Sequence, residues 1–449
     1  MSYEKWSFRY WILKQYIRFA DWLIHKKIVI TGKDKIPKNK PIIFAPNHQN
    51  ALSDPMAVLL NTSLQPVWLA RADIFKSKTI SSILKFLKII PVYRMRDGRE
   101  NLTKNDQTFV DSINILKNSS ALALFPEAAH SGKRQMLAHK KGIPRIIFMA
   151  EEATNYDLDI QIIPTGIYYS HYWKFNRTIM VNFGDPIPVK PYTEAYKENP
   201  NDATVQLRQK INDAILQHII NIESKKYYID FENIREIYGR HFLNRQGKKL
   251  SYVNLFRSDQ FLVSHLDKLE TEKPHEIENI VSEVKNYVTI LKKYKIRNWV
   301  IENRKNNFIK TTLTKLLLIF IGLPVFLYGF FLNAIPFFTI DRLIRKKVKD
   351  WTSWSSFFLV IGILLFPIAY ILEFSALAWL IPNVWLSILF LLSMPFTGKL
   401  AFKWYILFRK ITGMARLLFL RVFKKNEYKA LIMQQKNLFN HLDDFISVQ

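Results

Sequence analysis

Residues 46–55 read PNHQNALSDP and place a histidine and an aspartate six positions apart. They follow an apolar run, PIIFA at residues 41–45, that is typical of a short buried strand. Asp54 followed by Pro55 is typical of a helix start, with the aspartate as N-cap and the proline as the first helical residue. His48 therefore lies on a loop between a strand and a helix, and that loop can fold His48 and Asp54 together.

A carboxylate that hydrogen-bonds an imidazole holds it in one tautomer, so that the other ring nitrogen can take a proton from an alcohol. His48 and Asp54 are thus a candidate general base and its orienting group. The alternative is an ordinary strand-to-helix turn in which His48 caps a backbone group. The pair alone favours this alternative, because chance pairs at such spacing are common. Features elsewhere in the chain favour the general-base interpretation of His48 and Asp54.

The composition points to an anionic, apolar partner. The 449 residues, enough for two or three structural units, include 65 Lys and Arg against 37 Asp and Glu, a net charge of +28. Such an excess attracts phosphate groups, and long apolar segments near the C-terminus favour a phospholipid membrane over nucleic acid. The lack of cysteine excludes disulfides, Cys-ligated zinc and a cysteine acyl-enzyme, and it fits a reducing compartment.

Residues 1–27 are predicted to form an amphipathic helix at the membrane interface. Lys14, Arg18, Asp21 and His25 make a narrow polar stripe, while most other positions are bulky and include three tryptophans. Tryptophans with flanking cations suit the headgroup boundary of a bilayer. A helix packed on the following domain is an equal alternative, and the two interpretations are compatible.

Residues 28–200 alternate strand-like and helix-like stretches, which predicts an α/β domain with helices around a mixed sheet. The predicted strands are Ile28–Ile30, Ile42–Ala45, Pro66–Ala70, Ala121–Phe125, Ile160–Pro164 and Ile179–Phe183. The predicted helices include Asp54–Leu60, Ser77–Lys88, Asp106–Lys117 and Ile143–Ala153.

Cationic side chains follow several of these strands. Ligands of open α/β sheets gather at the carboxyl ends of strands, so cations there predict a phosphate site. For any single cation, a solvated surface charge is the better interpretation. The candidates are Arg71, Arg94, Arg96, His130, Lys140 and Lys141.

Taken together, these stretches resemble the ordered motif blocks of the glycerolipid acyltransferase family, whose best-known member is 1-acyl-glycerol-3-phosphate acyltransferase. The resemblance covers about residues 25–195, and it rests on four blocks in the right order. The matching segments are Asn47–Asp54 for the first block, Arg71–Arg94 for the second, Phe125–Ser131 for the third, Ile163–Pro164 for the fourth and Phe183–Ile187 for the segment that closes the domain.

The resemblance implies a membrane-bound O-acyltransferase that moves a fatty acyl group from an acyl carrier protein or coenzyme A thioester to a lysolipid hydroxyl. It implies 1-acyl-glycerol-3-phosphate as the first candidate acceptor, giving phosphatidate, with no metal and no bound cofactor. His48 would be the general base and Asp54 its orienting group. Glu127 would bind a hydroxyl of the acceptor. The acceptor phosphate would be bound by Arg71, Arg94, His130, Lys140 and Lys141.

Three departures from the family pattern keep alternatives open. Five residues separate His48 from Asp54 instead of four, Ala128 replaces a glycine and His130 replaces an arginine. A histidine holds phosphate more weakly than an arginine, so glycerol-3-phosphate or a non-phosphate lysolipid is an alternative acceptor. A non-catalytic protein that binds anionic membranes is the alternative from a different class.

The C-terminal half is predicted to hold the membrane anchor. Residues 201–310 form a charged helical region, and residues 311–400 carry the apolar segments. Within these, 316–340 is interpreted as re-entrant or interfacial, and 357–373 with 377–396 as a transmembrane hairpin. Residues 401–449 are a basic amphipathic tail, expected to lie along the membrane. Basic flanks predict a cytoplasmic (inner) membrane protein with its active site on the cytoplasmic face.

Overall fold

The computed structural model describes residues 3–75, 77–93, 103, 105–305, 308–380 and 383–446. Its strands are β1 (His25–Thr31), β2 (Ile42–Pro46), β3 (Val67–Arg71), β4 (Ile89–Val92), β5 (Ala121–Ala123), β6 (Gln161–Tyr169), β7 (Arg177–Phe183) and β8 (Ile187–Pro188). Its α-helices are α1 (Phe8–Ile24), α2 (Ser53–Asn61), α3 (Lys78–Phe86), α4 (Asn105–Lys117), α5 (Gly142–Glu152), α6 (Lys190–Glu198), α7 (Pro200–Leu216), α8 (Tyr228–Arg245), α9 (Tyr252–Glu272), α10 (Pro274–Lys293), α11 (Asn298–Glu302), α12 (Phe308–Lys347), α13 (Trp354–Leu380), α14 (Val384–Phe423) and α15 (Lys425–Phe445).

The chain divides into two compact units. The first comprises Met1–Ile219 together with Leu343–Ile363, and the second comprises Ile220–Arg342 together with Leu364–Gln449. The first unit thus extends past the predicted boundary at residue 200, because α7 packs against α5 and β6. The first unit also includes Leu343–Ile363, which lies within the predicted membrane region, residues 311–400.

The first unit is built on a mixed sheet with strand order β1-β7-β6-β2-β5-β3-β4, and β8 pairs with β6. The β6–β7 and β6–β8 pairs are antiparallel and the others are parallel. This confirms the predicted fold class. β4 was not among the predicted strands. It contains Pro91 and lies at the end of the strand order, where a proline is tolerated.

The central strand β2 is buried on both faces. Ile43 and Ala45 belong to one apolar cluster, with residues of α5 and α7. Ile42 and Phe44 belong to the other, with residues of α2. A strand covered on both sides reads as a continuous apolar run, which is why residues 41–45 carried so clear a signal. The loop after β2 therefore starts from a rigid base.

Helix α1 packs on the domain through its polar stripe. Lys14 Nζ donates to the backbone oxygens of Thr62 at 2.8 Å and Leu64 at 2.7 Å, and Asp21 pairs with His25. The opposite, apolar face is left open, with the following side chains exposed: Trp6, Phe8, Trp11, Ile12, Tyr16, Phe19 and Trp22. Both sequence interpretations therefore fit, since the helix is attached to the domain and still presents aromatic side chains outward.

In the second unit, α8, α9, α10 and α15 pack together. Asp443 of α15 accepts hydrogen bonds from Tyr238 at 2.6 Å and contacts His241 at 3.0 Å. Leu438 and Leu442 are buried. The apolar face of Lys425–Phe445 is thus covered by other helices of the same unit. The expectation that the tail lies along the membrane stays a prediction.

Three helices of the described chain are long and apolar enough to cross a membrane: α12, a stretch centred on α13, and α14. Only 6%, 17% and 17% of their most apolar windows are buried, which fits lipid-facing helices and not a protein core. α12 is continuous through Pro324 and Pro336. α13 runs to Leu380, so it includes Glu373 and passes the predicted end of the first hairpin arm.

Candidate active site

The loop that carries His48 is anchored at its start by Asn47. The Asn47 side chain donates to the Ile167 oxygen at 3.2 Å and accepts from the Ile167 nitrogen at 2.7 Å. Asn47 is fully buried, and β2 and β6 are neighbours in the sheet. These two hydrogen bonds tie the end of β2 to β6, so His48 leaves the sheet in a fixed direction.

Asp54 closes the loop on itself. Its Oδ2 accepts from His48 Nδ1 at 2.9 Å, from the Gln49 backbone at 2.7 Å and from the Asn50 backbone at 2.7 Å. The predicted N-cap role is wrong: α2 begins at Ser53, and the carboxylate points back into the loop, away from the helix start. Because the carboxylate accepts from Nδ1, the other nitrogen of His48 is the one available to take a proton.

The extra residue of this loop is taken up at Ala51. Ala51 has a φ of 38°, a left-handed backbone conformation that disfavours side chains with a Cβ. The Ser53 nitrogen donates to the Asn50 oxygen at 2.9 Å across the resulting turn. The five-residue spacing is therefore compatible with a His48–Asp54 hydrogen bond.

Glu127 supports the same histidine from a second loop. Its Oε1 accepts from the His48 backbone at 2.7 Å and its Oε2 from the Leu137 backbone at 2.7 Å. The side chain is buried, and burial raises the pKa of Glu127 to about 8, against the two hydrogen bonds that favour the charged form. Both carboxyl oxygens of Glu127 thus accept hydrogen bonds from backbone nitrogens. The expected role of Glu127 in binding an acceptor hydroxyl stays a prediction.

Aromatic side chains set the orientation of the imidazole. The His48 ring stacks on Phe125, with centroids 3.9 Å apart and planes 13° apart. The His130 ring lies 5.4 Å from the His48 ring at a steep angle, and it is partly exposed. An orienting carboxylate, a stacked ring and a second imidazole therefore converge around His48, which is itself partly accessible. Such a group can accept a proton from a hydroxyl that enters beside His130.

Comparison with known proteins gives the reaction class of the segment that carries this site. A family model described as Acyltransferase matches residues 27–168. Residues 27–168 are an acyltransferase domain. The chain is similar to "Glycerol-3-phosphate O-acyltransferase 2" of Saccharomyces cerevisiae, at 22% identity over 47% of this chain and 28% of that protein. The chain thus spans little more than a quarter of that relative's length.

Two further relatives are bacterial. "1-acyl-sn-glycerol-3-phosphate acyltransferase" of Borreliella burgdorferi is 23% identical over 42% of this chain and 72% of that protein. A crystal structure of a 1-acyl-sn-glycerophosphate acyltransferase from Thermotoga maritima matches 45% of this chain and 79% of its own, with 18% identity and a TM-score of 0.32. The relatives therefore include acyltransferases named for two different acceptors.

The predicted phosphate-binding cations of the acyltransferase domain are only partly assembled. Arg71, at the end of β3, forms an ion pair with Asp73. Lys140 and Lys141 are exposed at the start of α5, and the Lys140 nitrogen donates to the Pro126 oxygen at 2.8 Å. Arg94 and Arg96 lie outside the described residues. Phosphate binding by these side chains stays a prediction.

Arg177 of the first unit was not among the residues predicted from the sequence. It is buried at the start of β7, where Nη2 donates to Ser53 Oγ at 3.2 Å and Nη1 to the Tyr172 oxygen. Burial lowers its pKa from the ordinary arginine value. It braces the first turn of α2, which carries Asp54. An arginine that opens an apolar strand was the available signal, but its partner is 124 positions away.

Among the described residues, no group of three or more His, Asp or Glu side chains is placed to hold a metal ion. The expectation that the acyltransferase domain needs no metal stays a prediction.

Ala128 offers a test of the loop geometry. It has a φ of 56° at the position where the family pattern has glycine. We expect Ala128→Gly to raise the free energy of unfolding by about 1 kcal/mol, because glycine adopts this conformation without strain. Ala129→Gly is the matched control, since this exposed neighbour has no positive φ and glycine there should lower stability. Denaturant unfolding in detergent measures both; equal destabilisation by the two changes would contradict the loop geometry.

Proposed function

We propose that this chain is a membrane-bound O-acyltransferase that transfers a fatty acyl group from an acyl thioester to a lipid hydroxyl. The observation that carries the proposal is the hydrogen bond of 2.9 Å between His48 Nδ1 and Asp54. It orients the imidazole and leaves the other nitrogen to act on the acceptor. The acyltransferase domain match supports the reaction class, and the exposed apolar helices support a membrane setting.

The reaction needs two proton transfers and one acyl transfer. The acceptor hydroxyl gives its proton to His48 Nε2, and its oxygen bonds to the carbonyl carbon of the thioester. The carbon–sulfur bond then breaks, and the thiol leaves with the proton from Nε2. Asp54 stabilises the imidazolium that forms between these steps. The hydroxyl attacks the thioester directly, and the donor is an acyl carrier protein or coenzyme A thioester.

Removing the base tests this mechanism. We expect His48→Ala to lower the rate of acyl transfer by at least about 10²–10⁴-fold, since the variant loses both the proton acceptor and the group that Asp54 orients. His275→Ala, an exposed histidine of α10, is the control and should transfer acyl groups at the normal rate. Transfer of radiolabelled acyl groups by purified protein measures both. Near-normal turnover by His48→Ala would refute the mechanism, and a wild-type protein inactive with every donor and acceptor would favour the non-catalytic alternative.

For the acceptor we propose 1-acyl-glycerol-3-phosphate, with phosphatidate as the product. The exposed Lys140 and Lys141 near the site support an anionic headgroup. A second candidate is glycerol-3-phosphate, which the name of the yeast relative favours. A phosphate-free lysolipid is favoured by the carboxylate of Asp350, which lies 3.4 Å from His130 and opposes phosphate there.

A panel of acceptors separates these candidates. We expect purified protein to acylate 1-acyl-glycerol-3-phosphate faster than glycerol-3-phosphate or a phosphate-free lysolipid. Lys140→Ala with Lys141→Ala should raise the KM for the phosphate acceptor several-fold, because each charge-assisted contact contributes about 1 kcal/mol or more. Lys225→Ala with Lys226→Ala, two exposed lysines of the second unit, is the control pair. Preference for glycerol-3-phosphate or the phosphate-free lysolipid would overturn the proposed acceptor.

We also propose that the site faces the cytoplasm at the inner membrane. Acyl thioesters are made in the cytoplasm, and basic residues follow α12 and lie within α14 at Lys399 and Lys403. In this arrangement α13 and α14 cross as a hairpin, and α12 enters the membrane without crossing it. Asn383, which caps α14, then lies at the opposite face.

Cysteine labelling tests this topology in a chain that has no cysteine of its own. We expect Asn383→Cys to react with an impermeant thiol reagent added to intact cells, because the proposed hairpin places Asn383 at the outer face. Ser251→Cys, an exposed position before α9, should react only after the cells are opened. Equal labelling of both, or labelling of Lys347→Cys from outside, would show that the hairpin model is wrong.

A further inference from the structure

The segment that follows α12 and includes the first residues of α13 packs against the candidate site. Residues 350–356, called the strap from here on, belong to the same compact unit as the acyltransferase domain. The strap is more than 200 positions away in sequence from both loops that carry the site residues. Apolar helices precede and follow it.

One set of contacts joins the strap to the His48 loop. Ser356 Oγ accepts from the Ser53 nitrogen at 3.1 Å, and Ser355 Oγ lies 3.2 Å from Ser53 Oγ. Ser355 Oγ also donates to Asn50 Oδ1 at 3.3 Å. Asn50 and Ser356 are buried, so these hydrogen bonds are shielded from water. The strap therefore contacts both ends of the turn that Asp54 closes.

A second set of contacts joins the strap to the loop after Glu127. Asp350 Oδ2 lies 3.4 Å from His130 Nε2. Asp350 is itself held in place, because it accepts from the Thr352 nitrogen at 3.0 Å and from Ser353 Oγ at 2.9 Å. A Cβ on Gly132 would come within 2.4 Å of Thr352 Cγ2, so glycine allows the strap its close approach.

We propose that the strap is a working part of the acyl-transfer site and that Asp350 positions His130 against the acyl acceptor. The inference rests on the proposed function. An acceptor whose hydroxyl reaches His48 Nε2 brings its neighbouring atoms against His130, because the two rings are only 5.4 Å apart. Asp350 accepts a hydrogen bond from His130 Nε2–H and so fixes the orientation of the His130 ring relative to the acceptor. Asp350 is thus a positioning residue for acceptor specificity.

Kinetics test the role of Asp350. We expect Asp350→Asn to raise the KM of the acceptor about three- to tenfold, with the KM of the acyl donor and kcat little changed, as for loss of one charge-assisted hydrogen bond. Asp350→Glu should restore part of the loss. Asp106→Asn, an exposed carboxylate of α4, is the control. Equal changes in the KM of donor and acceptor, or no change in either, would overturn the proposal.

A cross-link tests where the strap lies. Ser53→Cys with Ser356→Cys should form an intramolecular disulfide under mild oxidation, because the two hydroxyl oxygens are 3.2 Å apart and no other cysteine competes. Ser53→Cys with Lys117→Cys is the control and should keep two free thiols, because Lys117 ends α4 before β5, at the opposite end of the sheet from the loop after β2. If the variant with Ser53→Cys and Ser356→Cys also kept two free thiols, the proposal would be overturned. A disulfide in a protein with no acyl-transfer activity in any variant would instead place the failure in the proposed function.

Discussion

The candidate site depends on one buried carboxylate oxygen. Asp54 Oδ2 accepts hydrogen bonds from the His48 ring and from two consecutive backbone nitrogens, and Asp54 is fully buried. A buried charge is costly unless donors surround it, so this oxygen requires the loop to wrap around it. The three charge-assisted hydrogen bonds to Asp54 offset the conformational strain of the positive φ at Ala51.

A second buried acidic side chain, Glu127, holds His48 from another part of the chain. Glu127 binds the backbone nitrogen of His48 while Asp54 binds its ring, so one histidine is held by two acidic side chains at two different points. Arg177 contacts Ser53 from β7 and brings a compensating positive charge into the same buried region. The imidazole is thereby oriented before any substrate arrives, which is the preorganisation that proton transfer requires.

Helix α1 shows why the first unit suits a membrane surface. A helix of a soluble domain turns its apolar face inward, whereas α1 buries Lys14 and Asp21 and exposes its tryptophans. Lys14 avoids an unpaired buried charge by donating to two backbone oxygens. The exposed face of α1 is thus an apolar surface that a lipid layer would cover, and the unburied apolar helices independently suit a lipid environment.

The sequence by itself determined the mixed α/β fold and the apolar helices, and it made His48 and Asp54 a candidate pair whose contact the structure then showed. Hydrophobic periodicity and the spacing of residues that are close in sequence carry this information, and both can be recognised in a short stretch of sequence. Only the tertiary structure decided that Glu127 binds the His48 backbone, that Arg177 braces Ser53 and that Asp350 reaches His130. The partners in these contacts lie 79, 124 and 220 positions apart. Their meeting depends on strand order and packing, which local patterns do not record.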